Sequence, residues 1–473
     1  MALFGPSFLA RFLKNQDGSI IAMSTIMIPL LIGVVGLSLD VGRVYYLQHD
    51  LQELADAAAL AGAKELDGLN GAISRATDKA NNLLNNDPTW SNVALAGAQI
   101  ASVTFYSDIS TGGDTLTADD TKAAYVKVTT VTRGMASTFI QAVGTGGTIN
   151  TSSSAMAGSL YIACGVSPLL LCNPFENGPG GTVEFKDAVN AGTVTAGMQF
   201  NFTPKAANGS FAPGDFGLLD PPGQNSNGAN GIRNLLSQQT PNFCYVHNVS
   251  PRPGQIQNKV MDGINVRFDI PASTGNTNGM DQSPAPVVTK GERPVNPNNC
   301  NSFTTAMRSP PPPPPLLSTF TTIYPYPDDT SLTAYGALQI GNGVLNTTNA
   351  KYYWQQHHDV NATQWPTTYA TRYQAYQAEV AGSVPWVANE PYELHAPLCS
   401  SSPTNVAARR LVTAAVVDCI ANGVNGNSAT NLVSSSIAEF FITKPADATI
   451  YTEFTRIITP PDDRLHHIVQ LVR

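Results

Sequence analysis

Charged side chains are scarce in this sequence. Only 13% of its 473 residues are Asp, Glu, Lys or Arg, against about 25% in an average soluble domain. The net charge is −8, and no run of Lys or Arg is longer than the pair Arg409, Arg410. A nucleic-acid partner bound through its phosphates is therefore not expected. A surface of Asn, Gln, Ser, Thr and Gly in place of charge is typical of an exported protein.

The short motifs of common enzymes are also absent. The sequence has no glycine-rich phosphate loop with Lys and Ser or Thr, no GxSxG and no HExxH. His357, His358 and Asp359 are adjacent, as are His466 and His467. Adjacent side chains of a helix or strand point in different directions, so neither group is expected to hold one ion. We predict no catalytic residue, no cofactor and no metal site.

One apolar segment is long enough to cross a membrane. From Ser19 to Leu39 there are 21 residues without a charge, and a helix of that length covers about 31 Å, the thickness of the bilayer core. A cleaved signal peptide is the alternative, but its apolar stretch would have about 7 to 15 residues before small residues at a cleavage site. Here residues 40–43 (DVGR) follow directly. We predict an uncleaved transmembrane anchor.

No cysteine precedes this segment, and an even number follows it: Cys164, Cys172, Cys244, Cys300, Cys399 and Cys419. This usage favours disulfides in an oxidising compartment; six free thiols in a cytosolic domain are the alternative. Arg11 and Lys14 before the segment outnumber Arg43 just after it, which places the N-terminus in the cytoplasm by the positive-inside rule. The short spacing of Cys164 and Cys172 makes them the preferred pair.

The apolar periodicity continues beyond the span as a helix. One stripe has a spacing of three and four residues; its members are Val44, Leu47, Leu51, Leu54, Ala58 and Ala61. Small side chains at its end permit a close approach by another helix. The stripe is therefore interpreted as a partner-binding surface, with packing against the protein's own domain as an equal alternative.

The stretch from Gln16 to Leu66 carries a specific combination of features: Gly18 at the entry, Pro29 in the middle, LDVGR at 39–43 and LQELADAAALAGA at 51–63. In this combination it resembles the N-terminal segment of the TadE/TadG-like proteins of bacterial tight-adherence (Tad, or Flp) pilus systems. The resemblance implies an anchor in the bacterial inner membrane, a periplasmic domain, and pilin or other pilus assembly proteins as partners. It implies a role in assembling or stabilising the fibre rather than chemistry.

Two features depart from relatives of this kind. Pilin-like relatives that are processed carry a Glu five residues after the cleavage-site Gly, whereas Met23 stands at that position here. Some TadG-like members have a von Willebrand A domain with a DxSxS metal loop. The nearest match here is Asp108, Ser110 and Gly112, which lacks the last hydroxyl and is typical of a turn.

The remaining pattern predicts an α+β protein. A second helix is expected over 73–84 and strands over 98–106 and 123–131. Short apolar runs such as FGLLD, INVRFDI and RRLVTAAVVDC again resemble TadG-like segments and fit a β-rich domain. The predicted organisation is a cytoplasmic tail (1–18), a transmembrane helix (19–39), a helical stalk with a small α+β unit (40–160), a β-rich periplasmic domain in two parts (161–270 and 386–473), and a low-complexity, Pro-rich insertion (271–385).

The insertion has two unusual parts. Pro310 to Pro315 are consecutive and predict an extended polyproline II spacer; a docking site for a proline-binding module is the alternative. An aromatic cluster follows, which is either an adhesive surface or a buried mini-core; its members are Tyr352, Tyr353, Trp354, Trp365, Tyr369, Tyr373 and Tyr376. The sequence favours a non-enzymatic pilus assembly component. An envelope-associated hydrolase and a surface adhesin that binds polysaccharide or matrix are the alternatives.

Overall fold

The structure is a computed structural model, and the chain divides into two compact units. Unit 1 comprises Met1–Leu160 and His467–Arg473, and unit 2 comprises Tyr161–His466. The residues that the structure describes are 17–67, 71–82, 99–110, 113–120, 122–138, 147–203, 210–221, 228–245, 248–252, 258–272, 277–296, 299–307, 320–388, 392–424, 432–434, 436–459, 462 and 464–472.

Two helices begin unit 1. Helix α1 is Asp17–Lys64 and helix α2 is Ala72–Asn82. The three buried residues of α2 are all Ala and recur every fourth position, which gives the helix one narrow apolar face. Asp120 caps its first turn, because the carboxylate accepts hydrogen bonds from the N–H groups of Gly71 at 2.7 Å and Ile73 at 2.9 Å. These backbone hydrogen bonds lower the pKa of Asp120.

An antiparallel sheet completes unit 1. Strands β2, β1, β3 and β6 lie side by side in that order, β21 also pairs with β6, and β4 and β5 form a separate hairpin. Val126 and Val128 of β3 point to one side and pack with the Ala-rich face of α1. The bounds are β1 (Ile100–Ser110), β2 (Gly113–Leu116), β3 (Tyr125–Thr130), β4 (Arg133–Ala136), β5 (Thr148–Thr151), β6 (Ser154–Cys164) and β21 (Leu465–Leu471).

Unit 2 is built on a nine-stranded sheet. Its order is β12-β9-β7-β17-β19-β20-β8-β16-β15; β7 and β17 are parallel and the other neighbours are antiparallel. Short pairs β10–β6, β11–β18 and β13–β14 lie outside it. The bounds are β7 (Leu169–Cys172), β8 (Gln199–Phe202), β9 (Phe216–Leu219), β10 (Cys244–Tyr245), β11 (Asn248–Val249), β12 (Pro251–Arg252), β13 (Arg293–Asn296), β14 (Asn299–Thr304), β15 (Leu332–Tyr335), β16 (Leu338–Gly341), β17 (Leu411–Val417), β18 (Leu432–Val433), β19 (Ser436–Ile442) and β20 (Ile450–Ile457).

The central strands of this sheet are buried on both faces. Leu169 and Leu171 of β7 belong to one apolar cluster, whereas Leu170 between them belongs to another. This explains why the run that forms β7 is continuously apolar, and that of β17 is apolar except for Thr413, instead of alternating. The helices of unit 2 are α3 (Phe185–Asn190), α4 (Gly228–Ser237), α5 (Asn258–Asn265), α6 (Thr347–His357) and α7 (Arg372–Val380), with 3-10 turns at Val266–Phe268 and Ala407–Arg410. The predicted α+β class with a β-rich second part is confirmed.

All six cysteines are paired, as three disulfides within unit 2: Cys164–Cys244, Cys172–Cys419 and Cys300–Cys399. The prediction of disulfides is confirmed, but the preferred pair Cys164–Cys172 is wrong. Strand register decides the pairing instead of spacing along the chain. Cys164 lies directly opposite Cys244 in the β6–β10 pair, and Cys172 lies beside Val417, two residues before Cys419.

Two other expectations differ from the structure. Much of the predicted insertion is folded, since β15 and β16 extend the nine-stranded sheet and α6 and α7 carry buried side chains. The proline run at 310–315 lies outside the described residues. INVRFDI is not a strand: it covers the end of α5 and the 3-10 turn, which ends at Asp269 in a left-handed conformation with φ 62°. The side chain of Arg267 within it donates to backbone carbonyls of other segments.

Candidate functional site

The first half of α1 exposes its apolar side chains on all sides. Ile26, Ile32 and Leu39 are each more than half exposed although they are strongly apolar. Two hydroxyls within this half bond back to the helix: Thr25 Oγ1 donates to the Ile21 carbonyl at 2.6 Å and Ser38 Oγ to the Val34 carbonyl at 2.9 Å. The helix is therefore long and apolar enough to span a membrane, and these hydroxyls have partners without water.

A polar junction lies where the uncharged segment ends. Asp40 is fully buried, and its Oδ1 accepts a hydrogen bond from the backbone N–H of Thr138 at 3.3 Å. One turn later, Arg43 donates from Nη1 to Oγ1 of the same Thr138 at 3.1 Å. The LDVGR motif thus bonds to the chain two residues after the end of strand β4. Sequence reasoning missed Thr138; the signal was a carboxylate next to a membrane span, which requires a hydrogen-bonding partner.

The predicted partner-binding stripe is buried inside unit 1. Leu47 and Leu51 have no exposed surface and pack with Met135 and Ile149 of the β4–β5 hairpin, with half-buried Val44 beside them. Leu54 and Ala58 are also buried, and Ala61 is half-buried. The stripe packs against the β4–β5 hairpin and the sheet of its own unit, which favours the alternative of own-domain packing; a partner-binding role stays a prediction. A row of apolar residues on a helix can be buried either by the protein's own domain or by a partner, and only the tertiary structure distinguishes the two.

The opposite side of the same helix is exposed. Tyr45 and Tyr46 are 67% and 62% exposed, and Leu37 and Val41 continue that side toward the span. Gly42 lies among them, and a Cβ atom built there would meet no heavy atom within 4 Å. This side of α1 carries aromatic and apolar side chains that the rest of unit 1 leaves uncovered.

The adjacent histidines have different partners. His358 bonds through Nε2 to Glu379 Oε1 at 2.9 Å and through Nδ1 to the Pro385 carbonyl at 3.1 Å. His357 is buried with Nε2 3.9 Å from Glu393 Oε2, and burial lowers its pKa to about 3. Asp359 is exposed. Among the described residues, no three His, Cys, Asp or Glu side chains lie close enough to hold an ion.

The remaining candidates are the C-terminal histidines, the DxSxS-like residues and the aromatic cluster. His466 is exposed, and the side chains of His467, Asp108 and Ser110, together with Gly112, lie outside the described residues. The aromatic cluster is a mini-core instead of an adhesive surface, because Tyr353, Trp354 and Tyr376 are buried. Trp365, Tyr369 and Tyr373 pack against them, and half-buried Tyr352 contacts Phe320 with ring centroids 4.9 Å apart.

A buried ionic group in unit 2 contains an acid whose pKa is raised. Glu393 accepts hydrogen bonds from the backbone N–H groups of Lys290 and Gly291, both at 2.9 Å, and its Oε1 lies 4.0 Å from Lys290 Nζ. Burial raises the pKa of Glu393 to about 7 and lowers that of Lys290. The cavity beside them has room for about one water molecule. No sequence motif marks these residues.

The comparisons with known proteins concern α1. Residues 18–65 match the family described as "Putative Flp pilus-assembly TadE/G-like". The match covers the span, the polar junction and the buried stripe, and it supports a TadE/TadG-like protein with a role in Tad pilus assembly. No curated protein and no solved structure matches the chain.

Proposed function

We propose that this chain is a non-enzymatic component of the Tad/Flp pilus assembly machinery. It is held in the bacterial inner membrane by one helix, with the residues before the span in the cytoplasm and the residues after it in the periplasm. There it contacts pilus or envelope proteins. The observation that carries the proposal is that the segment matched by the pilus-assembly family is a single helix, lipid-compatible in its first half and packed into unit 1 in its second.

The position of charges and cysteines supports the orientation. Arg11 and Lys14 precede the span, and all six cysteines follow it and are paired. Disulfides persist in the periplasm and are rare in the cytosol. A polar surface with few charges is also compatible with a periplasmic location.

The hydrolase and adhesin alternatives depend on the aromatic cluster. Its rings are largely buried against one another, so few of them remain accessible to a polysaccharide. The buried Tyr326, Tyr353 and His358 side chains all bond to Glu379. We interpret this group as structural.

A gene deletion with two complementing forms tests the proposal. Deletion should abolish surface pili and adherence, the full chain should restore both, and a secreted form without residues 19–39 should not. A periplasm-dependent reporter fused after residue 66 should be active. Normal piliation in the deletion strain, or activity of a cytoplasm-only reporter at residue 66, would overturn the proposal; a hydrolase assay on cell-wall polymers would then be the next measurement.

A further inference from the structure

Positions along helix α1 give the distance of the unit 1 residues that it contacts from the end of the membrane span. It is unbroken from Asp17 to Lys64, so each residue adds about 1.5 Å along one axis. The uncharged segment ends at Leu39, and Thr138 is bonded to Asp40 and Arg43. Thr138 therefore lies within about 6 Å of the end of the hydrocarbon-spanning segment. This distance is about the thickness of one lipid headgroup layer, roughly 5 to 7 Å.

The end of the β4–β5 hairpin lies at the same level. Ser137 donates from its backbone N–H to the Gly147 carbonyl at 3.3 Å, and Ala136 pairs with Thr148. Ala136, Thr138, Gly147 and Thr148 are all exposed. The sequence has no charged residue from Gly134 to Thr151. The described residues of the hairpin at this level thus present small, uncharged groups that tolerate contact with headgroups.

Two tyrosines mark the same boundary on the free side of α1. Tyr45 and Tyr46 begin about 9 Å beyond Leu39 and are 67% and 62% exposed. The Cα–Cβ bonds of a helix tilt toward its N-terminus, so both rings lean back toward the bilayer. Tyrosine is enriched at membrane interfaces because its ring is apolar and its hydroxyl is polar.

We propose that the part of unit 1 beyond the span lies directly on the bilayer, with Ala136, Thr138, Gly147 and Thr148 in contact with the phospholipid headgroups. The predicted stalk therefore does not hold unit 1 away from the membrane. The inference uses only the membrane anchorage within the proposed function. The lipid surface is the partner of these four residues, because Thr138 is hydrogen-bonded to Asp40 and Arg43, the residues at which the helix leaves the hydrocarbon.

Fluorescence quenching in nanodiscs tests this placement. All six native cysteines are in disulfides, so a single added cysteine can be labelled selectively in the full chain. Thr148→Cys and, independently, Ala136→Cys carry the label at the hairpin end. The matched control is Lys122→Cys, an exposed position of unit 1 near Asp120, which caps α2 beyond the far end of α1. The nanodiscs contain phosphatidylcholine with a nitroxide on the headgroup.

Labels at 148 and 136 should lose at least about half of their fluorescence because they lie within a headgroup thickness of the quencher, and the label at 122 should be nearly unaffected. Equal, weak quenching at all three positions would overturn the inference. Leu31→Cys, quenched by a nitroxide on the acyl chain, separates the two proposals. If Leu31 is quenched and 148 and 136 are not, the span holds and only the membrane-facing hairpin is wrong. Absence of quenching at Leu31 would instead contradict the anchor itself.

Discussion

The core of unit 1 contains mainly Ala and Val. The core of unit 2 contains Phe, Tyr and Trp together with buried charged side chains and disulfides. Among the described residues, the buried charged side chains of unit 1 are Asp40 and Arg133. Unit 2 buries many more, including Arg267, Arg372 and Arg410. Small residues allow α1 to approach its sheet closely. The stability of unit 1 therefore depends on close packing between one long helix and the sheet.

Unit 2 is held by links between distant parts of the chain. Arg267 donates to carbonyls at Leu236 and Arg409, and Arg410 lies 4.4 to 5.2 Å from the ring centroids of four aromatic residues. Such contacts are strong only when water is excluded. The comparison indicates that unit 1 should tolerate loss of single polar contacts, whereas unit 2 should not.

Removal of the Cys172–Cys419 disulfide should have the largest effect. It joins residues 247 positions apart, and restriction of the unfolded chain by so long a loop contributes up to about 5 kcal/mol. The double change Cys172→Ser with Cys419→Ser should lower the stability of unit 2 and leave that of unit 1 unchanged. Hydrogen exchange resolved by peptide measures both units in one sample. Equal loss of protection in the two units would contradict the comparison.

Arg372→Met should destabilise unit 2 by about 3 to 5 kcal/mol, because it leaves two carboxylates buried without their cation. Arg372 Nη2 bonds to Asp329, and Nη1 lies 3.0 Å from Glu453 Oε2, with all three side chains buried. The control is Lys122→Met in unit 1, which removes an exposed pair with Asp119 at 3.4 Å and should cost under about 1 kcal/mol. Denaturant titration of each variant gives the two values, and similar losses would remove the distinction.

Leu51→Ala tests the other side of the comparison. Leu51 is fully buried between α1 and the β4–β5 hairpin, and truncation of a buried leucine costs about 2 to 4 kcal/mol. Exchange protection should fall across unit 1 and remain in unit 2. Tyr46→Ala is the control, since that side chain is exposed and should change stability little. An unchanged unit 1 in the Leu51 variant would mean that the stripe is free for a partner after all.

The difference between the units also explains what the sequence could predict. Helix α2 and strands β1 and β3 follow from periodicity over contiguous residues, and the structure has them at Ala72–Asn82, Ile100–Ser110 and Tyr125–Thr130. Periodicity alone could not show whether the partner-binding stripe of α1 packs against its own domain or against another protein. The disulfide pairing, the folded aromatic helices and the role of Asp269 depend on contacts between segments distant in the chain, with separations of 80 residues for Cys164–Cys244 and 247 for Cys172–Cys419. No local pattern encodes those contacts.

Glu393→Gln should change how the stability of unit 2 depends on pH while leaving its fold intact. With a pKa of about 7 in the native state, Glu393 keeps its proton where the unfolded chain releases it near pH 4.5. Its contribution to stability is therefore present below about pH 4.5 and is lost as pH rises to 7, by at most about 1.4 kcal/mol per pH unit. His357, with a lowered pKa of about 3, acts in the opposite direction between pH 3 and about 6.5.

The variant removes the first contribution and keeps the second. The stability of Glu393→Gln should therefore rise more steeply between pH 5 and 6.5 than that of the unchanged protein, whatever its absolute value. Denaturant midpoints at a series of pH values measure the two slopes. Parallel curves would show that Glu393 titrates as an ordinary exposed acid.

The smallest effect is expected at Gly62, with Gly263 as its comparison; both are glycines where helices meet. A Cβ atom on Gly62 of α1 would lie 3.3 Å from the Ala76 carbonyl oxygen of α2, whereas one on Gly263 of α5 would lie 2.4 Å from that of Arg233 in α4. The first contact needs a shift of a few tenths of an ångström, which the gain in helix propensity of about 1 kcal/mol offsets. The second requires the two helices to separate, at a cost of about 1 to 3 kcal/mol. Gly62→Ala should thus change stability by less than about 1 kcal/mol, and Gly263→Ala should lower it measurably. If thermal denaturation gave the reverse order, the helix contact of unit 1 would be the less adaptable of the two.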